Sequence, residues 1–289
     1  MNIENIRTIG VVGAGSMGAG IAQVAAQAGF QVKVVDVGDA AFARARKTIA
    51  GSLERMVKKE KITADQMKEA LDRIGFSTDV GSLAGVPFLF EAVFEDVAVK
   101  KELYAKLDAM CGDDAVCATN TSSLSITELA SLVKRPGKFV GMHFFNPVPM
   151  MQLVEVIPAL QTEPSTTELA LSMAKRLGKT AITCKDTPGF VVNRLLIPYL
   201  LDAARLLEAG VASAEDIDTA MKLGCGMPMG PLELMDYTGV EISYLVGEIF
   251  NGYTKEPRFA PPGIVRNMVK AGYLGRKTGR GFYDYSQKK

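Results

Sequence analysis

Six residues near the start of the chain, Gly13-Ala-Gly15-Ser-Met-Gly18, restrict its fold more than any other segment. They follow an apolar run at 8–12 (Thr-Ile-Gly-Val-Val) and open an alanine-rich stretch at 16–28 that stops at Gly29. A short apolar run ending in glycines reads as a buried strand, and the stretch after it as a helix with Gly29 as its C-cap. Residues 31–35 supply the next strand. Strand, helix and strand within about thirty residues make a right-handed βαβ unit with parallel strands. In that setting each glycine has a physical task. The first makes the tight turn, the second lets a pyrophosphate approach the backbone, and the third lets helix pack on strand. Asp36 closes the second strand, where a carboxylate accepts hydrogen bonds from ribose hydroxyls and repels a 2′-phosphate. Val37, Gly38 and Asp39 include no arginine to hold such a phosphate. The expected cofactor is therefore NAD, held by Gly13, Gly15, Ser16, Met17, Gly18 and Asp36.

The alternation continues. A long helix is expected at 40–59, and Thr63-x-x-Gln66 reads as a capping box opening another to about Arg73. Strands are expected at 88–91, 116–119, 139–142, 153–157 and 181–184, with helices at 97–110 and 168–177. Repeated β and α elements with apolar strands predict an α/β fold, a Rossmann-type doubly wound sheet. At Lys185-Asp-Thr-Pro-Gly-Phe190 the pattern changes to helical periodicity alone, over 191–208, 214–222, 239–250 and 262–271. At 289 residues the chain exceeds a usual single domain. Two domains follow: 1–186, binding NAD, and 187–289, all-helical. The second carries Leu195, Leu196, Leu200, Leu201, Leu206 and Leu207, more apolar side chains than so small a core needs. They predict burial between subunits, hence a homodimer.

Lys and Arg (33) balance Asp and Glu (32), so no global charge favours nucleic acid or an anionic membrane. Cys111, Cys117, Cys184 and Cys225 show no metal-ligand spacing and are expected as reduced, mostly buried thiols. No metal site is expected. The few residues before the first strand leave no room for a targeting segment, and no apolar run is long enough to span a membrane. These features are read as those of a soluble, cytoplasmic protein.

The chain has one histidine, His143, in Val-Gly-Met-His-Phe-Phe-Asn-Pro-Val-Pro. Imidazole alone titrates near neutrality unperturbed, so a single histidine beside a nucleotide fingerprint points to proton transfer. In Leu153-Val-Glu-Val-Ile157 the residues Leu153, Glu155 and Ile157 share one strand face. A carboxylate there needs a partner or water. Either Glu155 orients His143, fixing its tautomer, or the strand is an edge with Glu155 in solvent. Thr119-Asn-Thr-Ser-Ser-Leu-Ser125 follows a strand at the ligand-binding edge. Ser125-x-x-Glu128 reads as a capping box, which leaves Thr121, Ser122 and Ser123 to face a ligand. Asn193, in a first helical turn, reads by itself as a local hydrogen-bonding residue.

Together, Gly-Ala-Gly-Ser-Met-Gly-Ala-Gly-Ile-Ala, Thr-Asn-Thr-Ser-Ser-Leu, His-Phe-Phe-Asn-Pro-Val-Pro, Leu-Val-Glu-Val-Ile, Asp-Thr-Pro-Gly-Phe-Val-Val-Asn-Arg and Gly-Arg-Lys-Thr-Gly-Arg-Gly-Phe-Tyr resemble 3-hydroxyacyl-CoA dehydrogenases over essentially the whole chain. Among these, the likeness is greatest to the bacterial 3-hydroxybutyryl-CoA enzymes. The resemblance implies an NAD-dependent oxidoreductase acting on acyl-CoA substrates, with short chains expected. It implies His143 as general base, Glu155 as its partner, and Ser122 and Asn193 as substrate-orienting residues. It further implies NAD contacts from Glu95, Lys100, Asn146 and Lys277, and CoA contacts from Ser52 and Lys59. Ser52 and Lys59 lie two turns apart on one helix face, and Lys58, Lys59 and Lys61 form the best local cation cluster for so anionic a ligand. Two places depart from the family pattern: Met151-Gln152, where a basic residue is common, and Val240-Glu241, where Leu-Asp is expected. A dehydrogenase of CoA-free hydroxy or sugar acids, or a non-catalytic NAD-binding protein, are the competing readings.

Overall fold

The strand that precedes the glycine turn is buried on both faces because helices cover both. In the computed structural model, which describes residues 1–286, β1 (Thr8–Val12) lies inside the sheet and leads to α1 (Ser16–Gln27) and β2 (Gln31–Val35). Then come α2 (Asp39–Lys58), α3 (Ala64–Asp72), β3 (Ile74–Ser77), β4 (Phe88–Glu91), α4 (Val97–Met110), β5 (Val116–Thr119) and α5 (Ile126–Ala130). β6 (Phe139–Phe144), β7 (Leu153–Pro158), α6 (Pro164–Arg176) and β8 (Thr180–Thr183) complete the α/β part. The eight strands form one sheet in the order β3-β2-β1-β4-β5-β6-β7-β8. Only the β6–β7 pairing is antiparallel. The link at 145–152 holds no helix, and a parallel return needs a crossover. That reversal brings the first half of β7 beside the carboxyl end of β6, the edge where ligands bind in open α/β sheets.

The Thr63–Gln66 capping box forms as expected: Gln66 N donates to Thr63 Oγ1 (3.1 Å), and Gln66 Oε1 accepts from Thr63 N (2.9 Å). The expectation at Ser125 is met in part. Ser125 Oγ accepts from Glu128 N (3.2 Å), but Asp186, not Glu128, supplies the second cap. Its carboxylate accepts from Ser125 Oγ (2.8 Å), Ile126 N (3.1 Å) and Thr127 N (2.7 Å).

The chain divides into two compact units, 1–190 and 191–289, four residues beyond the expected boundary. The described part of the second unit comprises α7 (Val192–Glu208), α8 (Ala214–Cys225), α9 (Pro231–Thr238), α10 (Val240–Thr254) and α11 (Gly263–Lys270). Its core gathers Ile197, Leu200, Leu201, Leu232, Met235, Phe250 and Phe259. This corrects the reading of its leucines. Leu200 and Leu201 are fully packed, Leu196 and Leu207 pack against the core, and only Leu195 and Leu206 face outward. The unpacked apolar stripe lies on α10, where Ile242, Leu245, Ile249 and Tyr253 recur at helical spacing and are 46%, 53%, 43% and 63% exposed. The cysteines also differ from expectation: Cys111, Cys117 and Cys184 are only partly buried, and Cys225 is exposed. No helix among the described residues is long and apolar enough to cross a membrane.

Candidate active site

Each glycine of the turn after β1 has a distinct steric reason. Gly13 has φ 102°, and a Cβ there would lie 2.4 Å from the Ala92 carbonyl oxygen. A Cβ on Gly18 would lie 1.8 Å from the Gly13 carbonyl oxygen, so the helix sits against the turn only because that side chain is missing. Gly15 is the opposite case: a Cβ would meet nothing within 4 Å, so the space above it is open. It is also the N-cap of α1 and offers no side-chain oxygen to the first-turn amides. Unpaired amides at a positive helix end, facing open space, suit a pyrophosphate. The Asp36 carboxylate is fixed beside this turn, accepting from Ala14 N and Val37 N at 2.6 Å each. Each oxygen keeps a lone pair for a sugar hydroxyl. These residues fit NAD.

His143 and Glu155 are direct partners across β6 and β7. Such pairs project to the same face with Cβ atoms about 5 Å apart, which puts imidazole and carboxylate within reach. His143 Nδ1 lies 2.8 Å from Glu155 Oε2. Glu155 has no solvent exposure, because β8 covers the far side of β7, and the solvated-edge alternative is excluded. A carboxylate only accepts, so Nδ1 carries the proton and Nε2 is left with a lone pair. The imidazole opens on a cleft of about 320 Å³ lined by Met17, Glu95, Lys100, Asn120, Ser122, His143 and Asn146 together with Ala92, Val93, Phe144 and Phe145. That volume suits part of a small-molecule ligand.

Six expected site residues (Met17, Glu95, Lys100, Ser122, His143 and Asn146) thus share one cleft. Ser16 Oγ, from α1, lies 3.3 Å from Asn146 Oδ1 and ties the glycine turn to the loop after β6. The serine loop is arranged differently from expectation. Thr121 is buried, with its hydroxyl bonded to Glu95, and Ser123 Oγ also donates to Glu95 (3.2 Å). Ser122 N donates to the same carboxylate at 2.9 Å, and only the Ser122 residue of the three lines the cleft. Ser52 and Lys59 stand apart from these, on α2 and at its C-cap. The helix ends at Lys58, so Lys59 lies just past it and is exposed. Asn193 and Lys277 belong to the second unit, Asn193 in the first turn of α7 and Lys277 ion-paired with Glu241. That pairing gives Glu241, one of the departures from the family pattern, a partner of its own.

Sequence reasoning missed Glu91. It ends β4 with no exposure and accepts from Lys100 Nζ (2.6 Å), Tyr104 Oη (2.8 Å), Thr119 Oγ1 (2.6 Å) and Val93 N (2.9 Å). Lys100, itself buried, also lies 3.4 Å from Glu95 Oε2. The Lys100 ammonium is thus held between two carboxylates under the cleft wall. Burial, and then the Glu91 charge, push the Tyr104 hydroxyl far up, so it stays a neutral donor. The available signal was the spacing of Lys100 and Tyr104, one helical turn apart on the face of α4 that meets the sheet.

Residues 8–187 match the model of the 3-hydroxyacyl-CoA dehydrogenase NAD-binding domain, and residues 189–285 that family's C-terminal domain. The mitochondrial hydroxyacyl-coenzyme A dehydrogenase of Rattus norvegicus is 46% identical, over 97% of this chain and 91% of that protein. The 3-hydroxybutyryl-CoA dehydrogenase of Mycobacterium tuberculosis is 45% identical, over 98% of this chain and 99% of its own. Among solved structures, (S)-3-hydroxybutyryl-CoA dehydrogenase from Ralstonia eutropha superposes with a TM-score of 0.95 at 47% identity, covering 98% of this chain and all of that one.

Proposed function

The chain belongs to the 3-hydroxyacyl-CoA dehydrogenase family, and we propose that His143, oriented by Glu155, moves the proton in its reaction. It is an NAD-dependent oxidoreductase that interconverts (S)-3-hydroxyacyl-CoA and 3-ketoacyl-CoA. NAD, when bound, supplies the hydride acceptor. In the oxidative direction the Nε2 lone pair of His143 accepts the 3-hydroxyl proton, and the imidazolium is stabilised by the Glu155 carboxylate on Nδ1. In reduction the same imidazolium returns the proton. Ser122 and Asn193 are read as orienting the substrate oxygen. Gly13, Gly15, Ser16, Met17, Gly18 and Asp36 hold the dinucleotide, with further contacts from Glu95, Lys100, Asn146 and Lys277. Ser52 and Lys59 meet the CoA moiety.

One observation carries this reading: the 2.8 Å contact between His143 and the unexposed Glu155, at the wall of the cleft that also collects the glycine-turn residue Met17 and Ser122. The acyl group is read as short, as in 3-hydroxybutyryl-CoA and acetoacetyl-CoA, in keeping with the names of the relatives. The protein is read as a cytoplasmic homodimer joined through its helical unit. The stripe on α10 supports this, because contiguous apolar surface is seldom left in water. Initial rates with NADH test the substrate class. Acetoacetyl-CoA and its longer homologues should turn over, with the shortest favoured, and free acetoacetate should not. Faster turnover of the free acid would overturn the assignment.

A further inference from the structure

Among the described residues, Glu60, Phe190 and Lys255 have positive φ without being glycine. Glu60 and Lys255 follow helices and are polar. Phe190 is different: a bulky aromatic at φ 50°, only 4% exposed, packed with Val12, Leu89, Ile126 and Ile157 in the second core of the α/β unit. L side chains disfavour that conformation, and a backbone outlier of this kind persists only where its surroundings hold it. Phe190 closes the turn Thr187-Pro188-Gly189-Phe190, donating its N–H to the Thr187 carbonyl (2.9 Å), with Gly189 at φ 80°. The result of that turn is a ring placed 5.6 Å from the imidazole of His143, tilted by 58°. Phe145 packs on the same imidazole at 4.6 Å, but it lines the cleft, whereas Phe190 is not among the cleft-lining residues.

We propose that Phe190 is a positioning residue for proton transfer: its ring fixes the plane of the His143 imidazole so that Nδ1 stays on Glu155 and Nε2 stays on the cleft. The residue just before that turn is Asp186, whose carboxylate caps α5 and bonds Ser125. One five-residue segment, 186–190, therefore sets both the imidazole plane and the end of the loop that carries Ser122. Glu155 on β7 holds Nδ1, and Glu95 and Lys100 line the same cleft. Cys184, after β8, is pushed up to about 11 by burial and by the Glu155 and Asp186 carboxylates, so it remains a neutral thiol.

This inference rests on His143 being the base, and His143→Gln tests that separately. Phe190→Leu keeps the bulk and deletes the aromatic face. Phe190→Met deletes the ring with a flexible side chain of similar volume, and carries the test if the leucine variant does not fold. Phe190→Tyr keeps the ring. The expected result is intact NADH binding in all three, with kcat for (S)-3-hydroxybutyryl-CoA oxidation lowered by roughly 5- to 30-fold in the ring-deleted variants, the scale of an aromatic contact to a cation. KM should move by less than about threefold, because the ring does not touch substrate. The tyrosine variant should restore kcat. If His143→Gln is inactive but the ring-deleted variants lose only thermal stability, with kcat unchanged, Phe190 is core packing and the proposal is wrong. If His143→Gln is itself active, it is the base assignment that fails.

Discussion

Replacing Glu155 by glutamine keeps the shape of the side chain and removes a charge from a site without solvent exposure. The effect on turnover has two parts. A charge-assisted hydrogen bond exceeds a neutral one by about 1–2 kcal/mol, so losing it from the imidazolium lowers kcat by roughly 5- to 30-fold. The amide can also donate to Nδ1, which moves the ring proton to Nε2 and leaves no lone pair facing substrate. Together these give an expected loss of roughly 10²- to 10³-fold in kcat, with KM for acyl-CoA little changed. The fold should tolerate the change, because a buried amide is cheaper to desolvate than a buried carboxylate. Initial rates with NAD and (S)-3-hydroxybutyryl-CoA, alongside a thermal melt, measure both. A kcat within about twofold of wild type would refute the oriented-imidazole argument.

Asp36 predicts a preference for NADH over NADPH, read as the ratio of kcat/KM, and Asp36→Ala should narrow it; equal efficiencies in the wild type would contradict the role given to that carboxylate. Lys59→Ala should raise KM for acyl-CoA more than KM for NADH, by an amount that shrinks as salt rises, because an exposed contact is screened. An unchanged KM for acyl-CoA would return Lys58, Lys59 and Lys61 to an ordinary solvated surface. Light scattering should find a homodimer, and Leu245→Glu should weaken it. A 31.0 kDa monomer at micromolar concentration would leave the α10 stripe unexplained.

What could be read beforehand divides along physical lines. β1, β2, β4 and β5 were legible because parallel strands covered on both faces are continuous apolar runs between turn signals. β3 was not. Ile74-Gly-Phe-Ser is four residues directly after a helix, and its pattern cannot be told from a loop. α9 was hidden by Met227-Pro-Met-Gly-Pro, which reads as a turn. The helix starts at Pro231 because Asp218, thirteen residues earlier, accepts from Leu232 N (2.8 Å) and Glu233 N (2.9 Å). Local windows do not contain such a cap. The same applies to the site. The glycine turn and Asp36 are contiguous and were readable, and His143 with Glu155 could be paired because they flank one short connection. Glu91 meets Lys100, Tyr104 and Thr119 only through sheet order, and Thr121 and Ser123 turn to Glu95 for the same reason. The ring of Phe190 reaches His143 through a backbone conformation that residue type argues against.

The central claim is that the lone histidine carries the proton, and His143→Gln examined with NADH and acetoacetyl-CoA tests it most directly. NADH affinity, read by fluorescence titration, should match the wild type, because the glycine turn and Asp36 are untouched. Turnover should fall by roughly 10²- to 10⁴-fold, the contribution of a general acid–base group. A variant that binds NADH normally and turns over at the wild-type rate would contradict the account.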